Sequence, residues 1–233
     1  MNFFYGIVVF GIIIFFGGIY VYWRYFFFFN DPERIIPDGN SMVSPADGTI
    51  VYVRKVLNSS VPISIKGKIE IKLEEITKYN ISGSVPYYIL GIFMHPTDVH
   101  VNRAPLAGIV EKIIYTKAKN LPMTMMWWRV LFSRKPYELY SKHILNNERN
   151  TILIRGILPV YIIQIADIYV NKIECWFKEG DSVDKGQRIG MIKMGSQVDV
   201  IFPYSQNIEI LVAEGDKVKA GETVLANINT DSI

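Results

Sequence analysis

From Phe3 to Trp23 the chain carries no charged side chain, and a run of that length and polarity leaves few ways to fold. An α-helix needs roughly 20 apolar residues to cross a bilayer core, and in lipid every backbone N–H and C=O must be satisfied within the segment. The run therefore predicts a membrane-spanning helix. A cleaved signal peptide fits less well: no basic n-region precedes the run, it is too long for an h-region, and no Ala-x-Ala site follows. Tyr20, Tyr22, Trp23, Tyr25 and Phe26 to Phe29 are then expected at the interface as an aromatic belt. Arg24 and Arg34 stand on the side of the remaining chain, which the positive-inside rule places on the cytoplasmic face of the cell membrane. The anchor is assigned to residues 1–29 and one domain of ordinary size to 30–233.

The formal charge of +3 is too small, and the basic residues too scattered, to suggest a nucleic-acid partner; it suits an anionic lipid surface. The single Cys175 excludes an intrachain disulfide and a cysteine-built zinc site. Beside Trp176 in an alternating stretch, it reads as a small buried hydrophobe.

Beyond the anchor, short β-branched and aromatic runs alternate with Gly, Pro and Asn: 48–54, 63–66, 87–94, 108–115, 151–155 and 160–165. Such punctuation predicts strands. Helical periodicity is poor outside the anchor and the stretch from Tyr137 to Leu145. The fold class is mainly β, a barrel or sandwich. Glu179-Gly-Asp181-Ser-Val183-Asp-Lys-Gly186 recurs as Glu214-Gly-Asp216-Lys-Val218-Lys-Ala-Gly221, which predicts two similar hairpins and a pseudo-symmetric sheet pair. The pattern resembles the hairpin repeats of biotinyl and lipoyl carriers, a barrel-sandwich hybrid.

Between the hairpins lies Gly195-Ser196, in an apolar run ending at Pro203. A serine after glycine can attack its own peptide bond, because the absent Cβ lets the hydroxyl approach the preceding carbonyl carbon. Alone this is a weak signal, since most Gly-Ser pairs are turns. Three further segments accompany it: Ser44-Pro-Ala-Asp47-Gly48; Phe93-Met-His95-Pro-Thr-Asp98-Val-His100-Val-Asn-Arg103-Ala-Pro105; and Asn147-Glu148-Arg149-Asn150. Together, from about Asp31 to Pro203, the four resemble the short form of the phosphatidylserine decarboxylase proenzyme family. The resemblance implies serinolysis at Gly195-Ser196, giving a β chain 1–195 and an α chain 196–233 that stay together as a heterodimer. Ser196 then becomes a covalent pyruvoyl group, and no metal is needed. That group forms a Schiff base with phosphatidylserine, acts as an electron sink for loss of CO2, and releases phosphatidylethanolamine.

Serinolysis needs a proton carrier, and histidine is the natural one near neutral pH. Of His95, His100 and His143, His100 matches the family's strand end. In longer members a Ser-His-Asp relay has been proposed, and its aspartate falls on Asp47. The second histidine of those members is Arg103 here, so the relay is expected to rest on His100. Arg103 could bind the headgroup phosphate or carboxylate, or pair structurally with an acid. Asp98 reads as a turn cap, His95 as a loop residue, His143 as solvent-facing, and Glu148-Arg149 as a salt-linked turn. Asp167 occupies a position where the resemblance implies a small residue; it could alter packing near the site or face solvent. Residues 121–137, with paired tryptophans and three cations, suit a segment lying in a lipid interface, with core packing as the other reading. The rival function is a membrane-anchored carrier or adaptor, with Lys193 as its modified lysine; a third is a self-cleaving decarboxylase acting on a soluble amino acid.

Overall fold

The computed structural model describes residues 2–23, 30–57, 60–61, 71–81, 85–168, 173–193 and 195–229. Arg24, the belt positions 25–29 and the strand expected over 63–66 lie outside them. Helix α1 (Asn2–Tyr22) buries none of the window Tyr5–Tyr22, whose mean hydropathy is 2.1. It is long and apolar enough to cross a membrane. At its end Trp23, like Val99, packs against the small cluster of Val101 and Met191.

The body is mainly β. Its largest sheet has eight antiparallel strands in the order β11 (Ser182–Val183), β7 (Gly108–Thr116), β8 (Arg149–Gly156), β9 (Pro159–Ala166), β13 (Ser196–Pro203), β5 (Tyr87–Met94), β2 (Gly48–Val56) and β15 (Lys217–Val218). Two three-stranded sheets lie against it: β1 (Ser41–Val43), β16 (Val224–Ile228) and β14 (Ile208–Ile210); and β10 (Ile173–Cys175), β12 (Arg188–Ile192) and β6 (Val101–Arg103). A short ribbon pairs β3 (Ser60–Val61) with β4 (Ile71–Lys72). Alternating side chains split the large sheet between two cores. Ile50, Leu90, Ile162, Val198 and Val200 pack toward the small sheets. Ile89, Phe93, Ile163 and Ile201 pack toward α2 (Leu73–Thr77), α3 (Thr124–Leu131) and α4 (His143–Asn146). Covered on both faces, β13 is buried over Ser196–Phe202.

The repeated Gly-Asp segments form two matching turns, whose short strands β11 and β15 pair with β7 and β2. Gly180 and Gly215 have φ of +96° and +100°, and Gly186 and Gly221 both +77°. Asp181 and Asp216 each accept from the N–H three residues back at 2.7 Å, on Lys178 and Ala213. Ile36 lies between the two turns: a Cβ on Gly186 or Gly221 would come within 2.3 or 2.9 Å of its Cδ1. The symmetry reaches further than the sequence reading saw. Val43 N–H donates to Pro105 O at 3.0 Å and Arg103 N–H to Pro45 O at 2.8 Å, so Ser44-Pro45-Ala-Asp-Gly48 is mirrored by Ala104-Pro105-Leu-Ala-Gly108. Both strands that follow carry a bulge, at Ile50/Tyr52 and at Val110/Lys112.

Five expected strands appear within two residues of their bounds. The helix expected over Tyr137–Leu145 is mostly turn, with α4 covering only His143–Asn146. Helix α3 was not expected, because Thr-Met-Met-Trp-Trp-Arg-Val-Leu has no clear polar face to betray its period.

Candidate active site

Ser196 opens β13, paired with Met94 on one side and Ala166 on the other, and is fully buried. Its Oγ donates to Met94 Sδ at 3.1 Å. Met94 Sδ also receives Asn102 Nδ2 at 3.7 Å, so β6 and β13 meet at this sulfur. Behind it runs a buried amide chain: Gln164 Nε2 donates to Asn102 Oδ1 at 2.8 Å and Asn150 Nδ2 to Gln164 Oε1 at 2.9 Å. The Ser196 hydroxyl thus sits in a dry, largely neutral pocket.

Gly195, just before it, has φ +51°, a conformation that disfavours other residues. A Cβ there would stand 2.8 Å from Asp167 Oδ2. The Gly195 carbonyl accepts the main-chain N–H of Asp167 at 3.1 Å. Asp167 Oδ1 in turn accepts from Met123 N at 2.9 Å and Ile168 N at 2.6 Å. Burial raises the Asp167 pKa against these two bonds. Of its two sequence readings, the first holds: Asp167 sets the packing at the Gly-Ser junction rather than facing solvent.

His100 is fully buried, next to β6, and its carbonyl accepts Ile192 N at 3.3 Å on the strand leading to Gly195. Its Nδ1 lies 2.7 Å from the Asp98 carbonyl, which fixes Nδ1 as the protonated nitrogen and Nε2 as the basic one. Burial lowers its pKa to about 4, against the Asp98 contact, so the ring is neutral at neutral pH. Asp98 caps its turn as expected, its Oδ2 accepting His95 N at 2.7 Å.

Asp47 lies in the turn between β1 and β2. Its carboxylate binds Arg34 Nη2 at 2.9 Å and accepts Ala220 N at 2.7 Å, tying the Ser44–Gly48 turn to the second hairpin. Burial raises its pKa over the opposing effects of Ala220 and Arg34. Arg103 is 5% exposed; it donates to Asp31 Oδ1 at 2.8 Å, Gly186 O at 3.0 Å and Pro32 O at 3.2 Å. Of its two sequence readings, structural pairing is the one observed.

Other expectations need correction. His143 is buried rather than solvent-facing, because Gln197 Oε1 offers it a partner 3.1 Å from Nε2. Arg149 forms no salt-linked turn with Glu148: fully buried, it donates to the carbonyls of Asn147, Ile76 and Ile144 at 2.8–3.0 Å, while Glu148 receives Tyr115. His95 is half-buried, its ring stacked on Trp127 at 5.8 Å. Cys175 is also half-buried, against the first core, and Lys193 pairs with Glu174 at 2.8 Å. Among the described residues no cluster of three or more His, Cys, Asp or Glu could hold a metal ion.

A second polar cluster, on the other face of β13, escaped the sequence reading. Tyr52 Oη and Gln197 Nε2 donate to Asp199 Oδ1 at 2.8 and 2.7 Å, and burial raises the Asp199 pKa to about 6. The signal was present as polar Gln197 and Asp199 alternating with apolar residues in a strand too hydrophobic to face water.

Residues 121–137 divide between the two readings given them. Met123 and Met126 are buried in the second core, while Met125, Trp128, Leu131 and Phe132 are 46–59% exposed. Trp128 and Phe132 stack at 5.6 Å beside a cavity of about 330 Å³ that Arg129 and Arg134 also line.

The family model described as phosphatidylserine decarboxylase matches residues 22–226. A relative from Methanocaldococcus jannaschii, named as an archaetidylserine decarboxylase proenzyme, is 37% identical over 88% of this chain and 90% of its own length. Phosphatidylserine decarboxylase proenzymes from Desulfotalea psychrophila and Geotalea uraniireducens are each 34% identical, over 87% and 85% of this chain and 78% and 76% of theirs.

Proposed function

Since the chain belongs to the phosphatidylserine decarboxylase family, we propose that it cuts itself between Gly195 and Ser196, converts Ser196 to a pyruvoyl group, and decarboxylates phosphatidylserine to phosphatidylethanolamine. The observation that carries this reading is the Gly195-Ser196 junction itself. A glycine held at φ +51° presents its carbonyl beside a serine hydroxyl that is fully buried and donates to a thioether. A thioether is a weak acceptor, so little is lost when that proton moves to a base. The pyruvoyl group fits the position: β-pairing to Met94 and Ala166 holds residue 196 on both sides, so the new chain end stays fixed after the cut. When formed, the group supplies an electron sink for carboxyl loss from a bound amine.

His100 takes the serine proton on Nε2, with Nδ1 oriented by the Asp98 carbonyl. Asp47 acts as a positioning residue, fixing the Ser44–Gly48 turn through Arg34 and Ala220. The products of the cut, 1–195 and 196–233, remain together because β13 lies between β5 and β9 of the other piece. The paired hairpins support a lipoyl-like frame for the site. Helix α1 and the exposed face of α3 support a lipid substrate. The two arginines near α1 favour the cytoplasmic face of the cell membrane. The serine headgroup is common to the names of all three relatives.

Intact mass spectrometry tests the proposal. The expected result is a C-terminal chain starting at position 196 with its serine replaced by pyruvoyl, together with CO2 release from phosphatidylserine; Ser196→Ala gives one uncut, inactive chain. A wild-type protein that is folded, uncut and inactive overturns the proposal in favour of the carrier reading.

A further inference from the structure

We propose that Asp167 is a self-cleavage residue: its main-chain N–H stabilises the Gly195 carbonyl oxygen as Ser196 attacks, and its carboxylate holds that N–H in place. The inference rests on the proposed cut at Gly195-Ser196 and names a group that drives it.

The plain reading of the contact is the last rung of the β9–β13 ladder. Ser196 and Ala166 are the final strand pair, and the bond from Asp167 N to Gly195 O, at 3.1 Å, falls one residue beyond it. That rung, however, ends on the carbonyl of the bond proposed to break. In the N-to-O acyl shift, Ser196 Oγ forms a bond to the Gly195 carbonyl carbon and the π electrons move onto the oxygen. They then return as the C–N bond breaks; the Ser196 nitrogen takes up one proton, matching the one Oγ gave up, and an ester remains. No other reactant is consumed. Negative charge develops on one oxygen only, the oxygen that already accepts Asp167 N–H. A donor set before reaction needs no reorganisation when charge appears, which is why such contacts weigh heavily in acyl transfer.

The side chain explains why the N–H stays aimed. Beyond Ala166 the pairing of β9 with β13 ends, and the chain would be free to turn. Asp167 Oδ1 accepts both Ile168 N, its own neighbour, and Met123 N, from the residue preceding α3, and so pins the turn to a helix packed on the second core. The small residue that the sequence reading expected here would keep the N–H and lose the tether.

The test follows cleavage of freshly refolded full-length chain by mass, with thermal melting of each variant in the Ser196→Ala background as the folding control. Asp167→Asn keeps an acceptor at Oδ1 and should cleave near the wild-type rate. Asp167→Ala should slow cleavage about tenfold or more through lost alignment. Replacing residue 167 by its α-hydroxy acid changes the N–H to an ester oxygen and should slow cleavage about 100- to 1,000-fold. Wild-type cleavage in the ester variant overturns the oxyanion role, and equal loss in the Asn and Ala variants overturns the tether. A wild-type chain that never cleaves defeats the parent proposal instead, so the two failures are distinguishable.

Discussion

Three titratable side chains buried around β13 give the protein opposed responses to acid. His100 and His143 have folded pKa values of about 4, below the ordinary 6.5, chiefly because burial disfavours the imidazolium. Asp199 is raised from 3.8 to about 6 by the same cause. The signs follow from linkage: a depressed histidine contributes stability that is complete above pH 6.5 and is lost as pH falls toward 4, because the unfolded chain takes up the proton first. A raised aspartate does the reverse, its stability present below pH 3.8 and lost as pH rises through 6. His143 faces Gln197 and feels the Arg149 charge, so His143→Gln keeps a donor toward Gln197 while removing the titration. Its stability relative to wild type should improve by about 3 kcal/mol between pH 7 and 4, read from urea midpoints. Asp199→Asn should drift the opposite way, gaining relative to wild type as pH rises over that range. Parallel stability curves for His143→Gln and wild type would mean that the imidazole is charged or solvated in the folded chain.

At the scale of elements, the two hairpins share one side chain. Ile36 meets both Gly186 and Gly221, each at φ +77°. Gly186→Ala therefore combines left-handed strain of about 1–2 kcal/mol with overpacking of about 1–3 kcal/mol, and its urea midpoint should drop accordingly. Adding Ile36→Ala should relieve the overpacking and leave the strain; purely additive losses in the double variant would show that the contact is not the cause. The repeat was legible because its Gly-Asp turns use residues dictated by local φ and by Asp-to-backbone bonds. Its partner, Ser44–Gly48 against Ala104–Gly108, was not: only Pro and Gly are shared, and the likeness lies in hydrogen-bond geometry. Burial of His143 and Arg149 was equally hidden, since their acceptors are a distant amide and main-chain carbonyls. Ser196 stands out in the sequence through its glycine neighbour and the accompanying motifs, and its role belongs to the proposed function. Arg103 kept two readings because its partners Asp31 and Gly186 lie 72 and 83 residues away.

Across the whole molecule, two apolar features converge on the end of the sheet where Ser196 begins β13. Helix α1 is followed by Trp23, packed against the cluster of Val101, next to His100, and Met191, and α3 is joined through Met123 to Asp167 and so to Gly195. Its outward face carries Met125, Trp128 and Phe132, with the Arg134 guanidinium 5.9 Å over the Phe132 ring. An apolar face edged by cations suits a lipid interface, and under the proposal that α1 spans a membrane both features lie at the Ser196 end of the sheet. Trp128 is 46% exposed; burying that much of a ring of roughly 250 Å² at 25 cal/mol per Å² yields about 3 kcal/mol on full immersion. Trp128→Ser in the full-length chain should therefore lower turnover of phosphatidylserine in vesicles by about tenfold or more, allowing for partial immersion. The proposed self-cleavage, which would need no lipid contact from this face, should proceed at the wild-type rate, and turnover of a short-chain, monomeric substrate should be nearly unchanged. A matching loss on the soluble substrate would place the role of Trp128 in the fold of α3 rather than at the membrane.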